Sequence, residues 1–275
     1  MNHALVGYGL QLRKFRHAVA IGVLGTVAAC GSGSAANVQN GNDTGVSNNN
    51  MAAGKSSAVR SDSAASREEA ASATASRAVT GTRTPVVLFF GTSLTAGYGL
   101  SPEQSFPTLI EEKARSEGVL IKAVNAGLSG ETTAGALRRI DWVLRTPADL
   151  VVIEAGANDA LRGLSTTAAQ ANLEKLVAAV RQRQPHAKIA LIQMEAPPNY
   201  GAAYTTSFRR IYSDVAAKEG LPLLPFLLNG VAGISRLNQA DGVHPNAVGE
   251  KIVADNVWKG LKPLVVQLDR GLKSG

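Results

Sequence analysis

Past Pro85 the chain alternates between short, continuous apolar runs and longer stretches in which apolar residues return every three or four positions. The runs Val86–Phe90, Val119–Asn125, Leu150–Glu154, Lys188–Met194 and Leu221–Leu224 read as strands. Most lack polar alternation, as expected of a sheet covered on both faces. Between them, Ser105–Glu117 sets Phe106, Leu109 and Ile110 on one side, and Thr132–Leu144 sets Leu137, Ile140 and Leu144. Ser165–Gln184 sets Leu173, Leu176, Val177 and Val180, opens on a serine suited to capping and stops before Pro185. Tyr204–Lys218 and Pro245–Leu261 complete the helices, with Pro245 in a first-turn position that tolerates it. Strands alternating with helices predict an α/β fold with a parallel sheet and right-handed crossovers. Sites in such sheets collect at the carboxyl ends of the strands. Here those ends are Gly91–Gly99, Ala126–Glu131, Ala155–Gly163 and Glu195–Tyr204.

The first 84 residues follow different rules. Arg13, Lys14 and Arg16 precede the apolar run Ala18–Gly25, the layout of a secretory signal. The run is shorter than the ~20 residues that span a bilayer. It ends in Val27-Ala28-Ala29-Cys30, and Cys30 is the only cysteine. This ending resembles a bacterial lipobox, and the resemblance implies cleavage before Cys30 and lipid on its sulfur. Gly31 follows rather than Asp, which by the same analogy favours the outer membrane in a cell that has one. From Gly31 to Thr84, Ser, Ala, Asn, Gly and Thr dominate, too little apolar surface to offset the entropy of ordering. The expected organisation is a signal over 1–29, a lipidated Cys30 with a disordered tether to 84, and a folded domain over 85–275. The expected location is the exported face of a membrane, with the protein held by its lipid.

Charge narrows the partners. Of the net +7, residues 1–84 hold 8 of the 28 Lys and Arg and 4 of the 21 Asp and Glu, so the domain carries only +3. No basic stripe with interleaved aromatics is present, which argues against nucleic acid.

The chemistry begins at Ser93, in a glycine-bounded turn after the first strand. A serine lifted from such a turn is placed to attack a carbonyl if a base and an oxyanion site are supplied. His3 and His17 belong to the signal, and His186 precedes its strand, at the wrong end of the sheet. His244 remains, in Asp241-Gly242-Val243-His244-Pro245. An aspartate three residues earlier can turn back to the imidazole and fix its tautomer. The Gly130 N–H, near a helix start, and the Asn158 amide are candidate donors to an oxyanion.

Four blocks together carry a resemblance. Gly91-Thr92-Ser93-Leu94-Thr95-Ala96-Gly97-Tyr98-Gly99, Ser129-Gly130-Glu131-Thr132-Thr133-Ala134-Gly135, Gly156-Ala157-Asn158-Asp159 and Asp241-Gly242-Val243-His244-Pro245 resemble, in order, the signature blocks of the SGNH, or GDSL, esterase superfamily. Pro197-Pro198-Asn199-Tyr200-Gly201 and Pro222–Phe226 are similar to its bacterial thioesterase/arylesterase/lysophospholipase branch. The resemblance implies a three-layer α/β/α, flavodoxin-like fold with a five-stranded parallel sheet. It implies Ser93 as nucleophile, His244 as base and Asp241 as its orienter. Ser93 N–H, Gly130 N–H and the Asn158 amide would form the oxyanion hole. It implies a covalent acyl-enzyme, no cofactor, no metal and a monomer. The α/β-hydrolase fold shares the order Ser, Asp, His, but its Gly-x-Ser-x-Gly lacks the second glycine here.

The branch usually has Asp where this chain has Thr92. A threonine hydroxyl there is expected to hold the turn through nearby backbone N–H groups, more weakly than a carboxylate, and Thr92→Asp is expected to keep or raise turnover. Ala157 and Ala160 replace common glycines and are expected to narrow the pocket. Tyr98, Leu100, Pro198 and Tyr200 are expected to border an acyl groove. Aryl esters and short or medium acyl esters are the leading substrates, acyl thioesters and lysophospholipids the alternative. A lipoprotein that binds acyl chains or glycans without turnover is the reading outside enzymology.

Overall fold

The computed structural model describes residues 83–274. The expected signal, Cys30 and all but the last two tether positions lie outside the described residues. Five strands, β1 (Val86–Gly91), β2 (Lys122–Gly127), β3 (Leu150–Ile153), β4 (Lys188–Ile192) and β5 (Leu223–Leu224), pair in parallel in the order β2-β1-β3-β4-β5. The helices are α1 (Ser93–Ala96), α2 (Phe106–Ser116), α3 (Thr133–Val143), α4 (Ala157–Leu161), α5 (Thr166–Arg183), α6 (Gly201–Glu219) and α7 (Ala247–Ser274).

The order explains the layers. The crossover through α2 runs from β1 out to β2, and the one through α3 runs back past β1 to β3. Right-handed connections therefore put α2 and α3 on opposite faces. Accordingly α2 packs on α7, while α3 packs on α5 and α5 on α6. Between the layers, Val87–Phe90 and Leu150–Ile153 are wholly buried, as their unbroken apolar runs require. Phe89 meets Phe106 of α2 edge-on, with ring centres 5.6 Å apart. The chain leaves β1 toward one side and reaches β3 on the other, so a crevice opens above their carboxyl ends.

Several boundaries move. Val119 is buried but serves α2, its N–H donating to the Ala114 carbonyl at 2.9 Å, so β2 starts at Lys122. β5 is cut to two residues by Pro222 and Pro225, which have no N–H to give; Pro222 still accepts from Leu191 N at 3.0 Å. α7 runs through Pro263 to Ser274 rather than stopping at Leu261, because Leu264, Val265 and Leu268 continue its apolar face. α1 and α4 fall in segments the sequence reads as turns.

Arg83 reaches Asp149, ahead of β3, with bonds of 2.7 and 2.5 Å. The same carboxylate accepts from Val86 N at 2.8 Å. The chain thus enters the domain at the end of the sheet opposite the crevice.

Glu250, in the first turn of α7, is buried with its carboxylate accepting from Phe106 N at 3.0 Å. Burial pushes its pKa up to about 8 from 4.5. The folded state therefore holds this proton more tightly than the unfolded chain does, and stability falls as pH rises from about 4.5 to about 8. Glu250→Gln keeps an acceptor for Phe106 N and removes the charge. It should raise the melting temperature at pH 9, on a scale of roughly 2–4 °C per kcal/mol, and leave it unchanged at pH 5. Melting curves at the two pH values check this; equal shifts at both would contradict it.

Candidate active site

Ser93 opens α1 directly after β1 and is 8% exposed. Its hydroxyl lies 2.9 Å from His244 Nε2. His244 Nδ1 lies 2.7 Å from Asp241 Oδ2, while Asp241 Oδ1 accepts the backbone N–H groups of Val243 and His244 at 2.9 and 3.0 Å. The His244 backbone bond, with the imidazole and Val243 bonds, holds the Asp241 carboxyl down at about 2. An ionised Asp241 on Nδ1 leaves Nε2 as the acceptor facing the serine.

The loop carrying the histidine is tied to the serine loop. Gln239 Nε2 donates to the Tyr98 carbonyl at 2.6 Å and to the Pro245 carbonyl at 2.9 Å. Tyr98, 52% exposed, lays its ring 4.7 Å from that of His244.

α4 builds the opposite wall. Asn158 Nδ2 donates to the Glu131 carbonyl at 3.0 Å, and Arg162 Nη2 to the Gly130 carbonyl at 2.9 Å. Asp159 accepts from the Thr133 N–H and hydroxyl at 2.8 and 2.7 Å. Gly130 sits at φ +77°, open to glycine at little cost. Buried Glu131 pairs with Arg139 at 2.6 Å, and Arg139 also donates to the Gly91 carbonyl at 3.0 Å and lies over the Phe90 ring. Arg139, Arg162 and Gln239 drew no attention in the sequence, since each acts across loops far apart along the chain.

A cleft of about 880 Å³ unites Ser93, His244, Asp241, Gly130 and Asn158. Of the four residues expected to border an acyl groove, Tyr98 and Pro198 line this cleft and Leu100 and Tyr200 do not. Leu100 is tucked into a turn, its N–H bonded to the Gly97 carbonyl. Tyr200 reaches the end of α4, its hydroxyl donating to the Leu161 carbonyl at 2.7 Å. Ala157 lines the cleft, whereas Ala160 is buried and does not.

Thr92 departs from its expected role. It makes no side-chain cap on its own helix. Its hydroxyl donates to Glu154 instead, at 2.9 and 3.1 Å to the two carboxylate oxygens. The reason is proximity: β3 lies beside β1 and delivers a buried acceptor to the turn. Burial pushes the Glu154 carboxyl up to about 7. Thr92→Asp would bring a second carboxylate against it, and one of the two must then hold a proton.

A sequence profile of the GDSL-like lipase/acylhydrolase family matches residues 89–252, more than half of the chain. The chain belongs to the GDSL family. Among relatives of this GDSL hydrolase is esterase TesA of Pseudomonas aeruginosa, 41% identical over 65% of the chain and 89% of the relative. The arylesterase of Vibrio mimicus is 35% identical over 64% and 87%. Of solved structures, that of TesA covers 65% of the chain and 99% of its own at 40% identity, with a TM-score of 0.62. AlinE4, an SGNH-hydrolase esterase, covers 68% and 97% at 39% identity, with a TM-score of 0.55. The GDSL chain is thus an ester hydrolase on a five-stranded parallel α/β sheet, and the α/β-hydrolase alternative is set aside.

Proposed function

We propose that the protein hydrolyses carboxylic esters through Ser93, His244 and Asp241 and a covalent acyl-enzyme. The observation that carries this is the unbroken chain of contacts, 2.7 Å from Asp241 to His244 and 2.9 Å from His244 to Ser93. His244 Nε2 takes the hydroxyl proton as Oγ attacks the ester carbon. The carbonyl oxygen becomes an oxyanion facing the N–H groups of Ser93 and Gly130 and the Asn158 amide. Collapse expels the alcohol, which receives its proton from His244. Water, deprotonated by the same nitrogen, then attacks the acyl-serine and releases the acid.

The cleft wall supports a substrate class. Leu161, Met194, Pro197, Phe226, Leu228 and Ala232 line it, and among the described residues no Lys or Arg does. An apolar wall without a cation suits a neutral aryl or short to medium acyl ester better than an acyl donor bearing phosphate. The Escherichia coli relative named thioesterase 1/protease 1/lysophospholipase L1, 34% identical, supplies the competing reading. A p-nitrophenyl ester series from acetate to palmitate, run beside an acyl-CoA and a lysophosphatidylcholine, decides between them. The expectation is a burst of p-nitrophenol and the highest kcat/KM on a short or medium ester. A higher value on either phosphate-bearing substrate would replace the ester reading.

The domain is further proposed to be anchored through lipid on Cys30. Entry of the chain at the Arg83–Asp149 contact, opposite the cleft, supports a tether that leaves the cleft mouth clear. Cys30→Ser should move the protein from the membrane to the soluble fraction and abolish incorporation of radioactive palmitate. A variant that still incorporates label would rule the anchor out.

A further inference from the structure

We propose that Glu154 is the positioning residue of the nucleophile turn: its carboxylate, reaching across from β3, holds Thr92 and Thr95 and thereby aims the Ser93 hydroxyl at His244. The inference rests on Ser93 being the nucleophile.

Glu154 follows β3 and is 1% exposed. Three donors from the neighbouring turn converge on it. Thr92 N–H donates to Oε2 at 2.8 Å, the Thr92 hydroxyl to Oε2 at 2.9 Å, and the Thr95 hydroxyl to Oε2 at 2.9 Å. These donors bracket Ser93, one residue before it and two after. The seat is shaped for the carboxylate by Gly91. A Cβ there would stand 2.6 Å from Glu154 Oε2 and 2.0 Å from Thr95 Oγ1. α1 has only four residues and no side-chain cap of its own, too short to hold itself in water. Its start is fixed instead by an acceptor 62 positions away in the chain.

This arrangement gives Thr92 a reason. Glu154 needs donors, and a threonine hydroxyl is one, whereas an ionised aspartate is not. The requirement is also tight. The Ser93–His244 contact is already at bonding distance, and a shift of about 1 Å in the nucleophile costs on the order of 100-fold in rate. Arg139 fixes the preceding residue from the other side through the Gly91 carbonyl, so Glu154 controls the half of the turn that bears the hydroxyl.

The test uses the full chain with Glu154→Met, Thr92→Val and Thr92→Ser. Three quantities are read: kcat and KM on a p-nitrophenyl ester, the second-order rate of Ser93 phosphonylation by a fluorophosphonate, and the melting temperature. All three donors share Oε2, whose place a glutamine carbonyl could take, so the seat is removed by Glu154→Met, a side chain of similar length without a comparable acceptor. The expectation is a fall of about 10- to 100-fold in kcat, an equal fall in phosphonylation, and KM within about threefold. Thr92→Val should lose about three- to tenfold on both rates, one hydrogen bond's worth, and Thr92→Ser should recover most of that loss. A folded Glu154→Met protein that is phosphonylated at the wild-type rate would overturn the inference, even if it melts earlier. If Glu154→Met does not fold, the valine variant decides: undiminished rates there would overturn it equally. Absence of label on wild-type Ser93 would remove the nucleophile assignment and this inference with it. A labelled wild type with equally fast variants would remove this inference alone.

Discussion

Ser93→Ala lowers kcat by a factor on the order of 10⁶ and leaves the melting temperature nearly unchanged. The size follows from the chemistry: without Oγ no acyl-enzyme forms, and the remaining groups offer water only an oxyanion site. The stability follows from the contacts. The hydroxyl touches His244, and His244 stays pinned by Asp241 and by the Gln239 N–H on its carbonyl at 2.8 Å. Steady-state hydrolysis of a p-nitrophenyl ester and a melting curve check both halves. Residual turnover above about one part in a hundred would mean that another group performs the attack.

Asn158→Ala costs roughly 2.7–4 kcal/mol of barrier, about 10²–10³ in kcat. Its amide has two hydrogens. One is spent on the Glu131 carbonyl, which orients the group, and its side of α4 lines the cleft with Ser93 and Gly130. Since charge reaches the carbonyl oxygen only in the transition state, the loss falls on kcat and spares KM. A rise in KM with kcat intact would make Asn158 a substrate-binding residue instead.

What the sequence discloses and what it hides divide along a physical line. The sheet was legible because burial on both faces leaves strands written as unbroken apolar runs. The link from Asp241 to His244 was legible because three residues suffice to turn one carboxylate onto one imidazole. α1 and α4 were not, since four or five residues carry no periodic signal and take their conformation from partners elsewhere: Glu154 for α1, Thr133 for Asp159 of α4. Glu154 reads as the polar end of a strand until the register of β1 against β3, Phe90 beside Ile153, sets it under the serine. Leu100 and Tyr200 misled by adjacency. Each stands two residues from a neighbour that does border the cleft, but Leu100 belongs to a turn closed on the Gly97 carbonyl and the Tyr200 hydroxyl is held by the distant Leu161 carbonyl. Thr92 shows that a residue in a familiar position can serve a different bond.

In the proposed mechanism one hydroxyl carries the chemistry. The direct measurement is peptide mass spectrometry of the wild-type protein after stoichiometric reaction with a fluorophosphonate, with residual esterase activity followed in parallel. One adduct per chain is expected, on the peptide containing Ser93, with activity lost in proportion to labelling. Full inactivation with the adduct on another residue, or full activity with Ser93 modified, would contradict it.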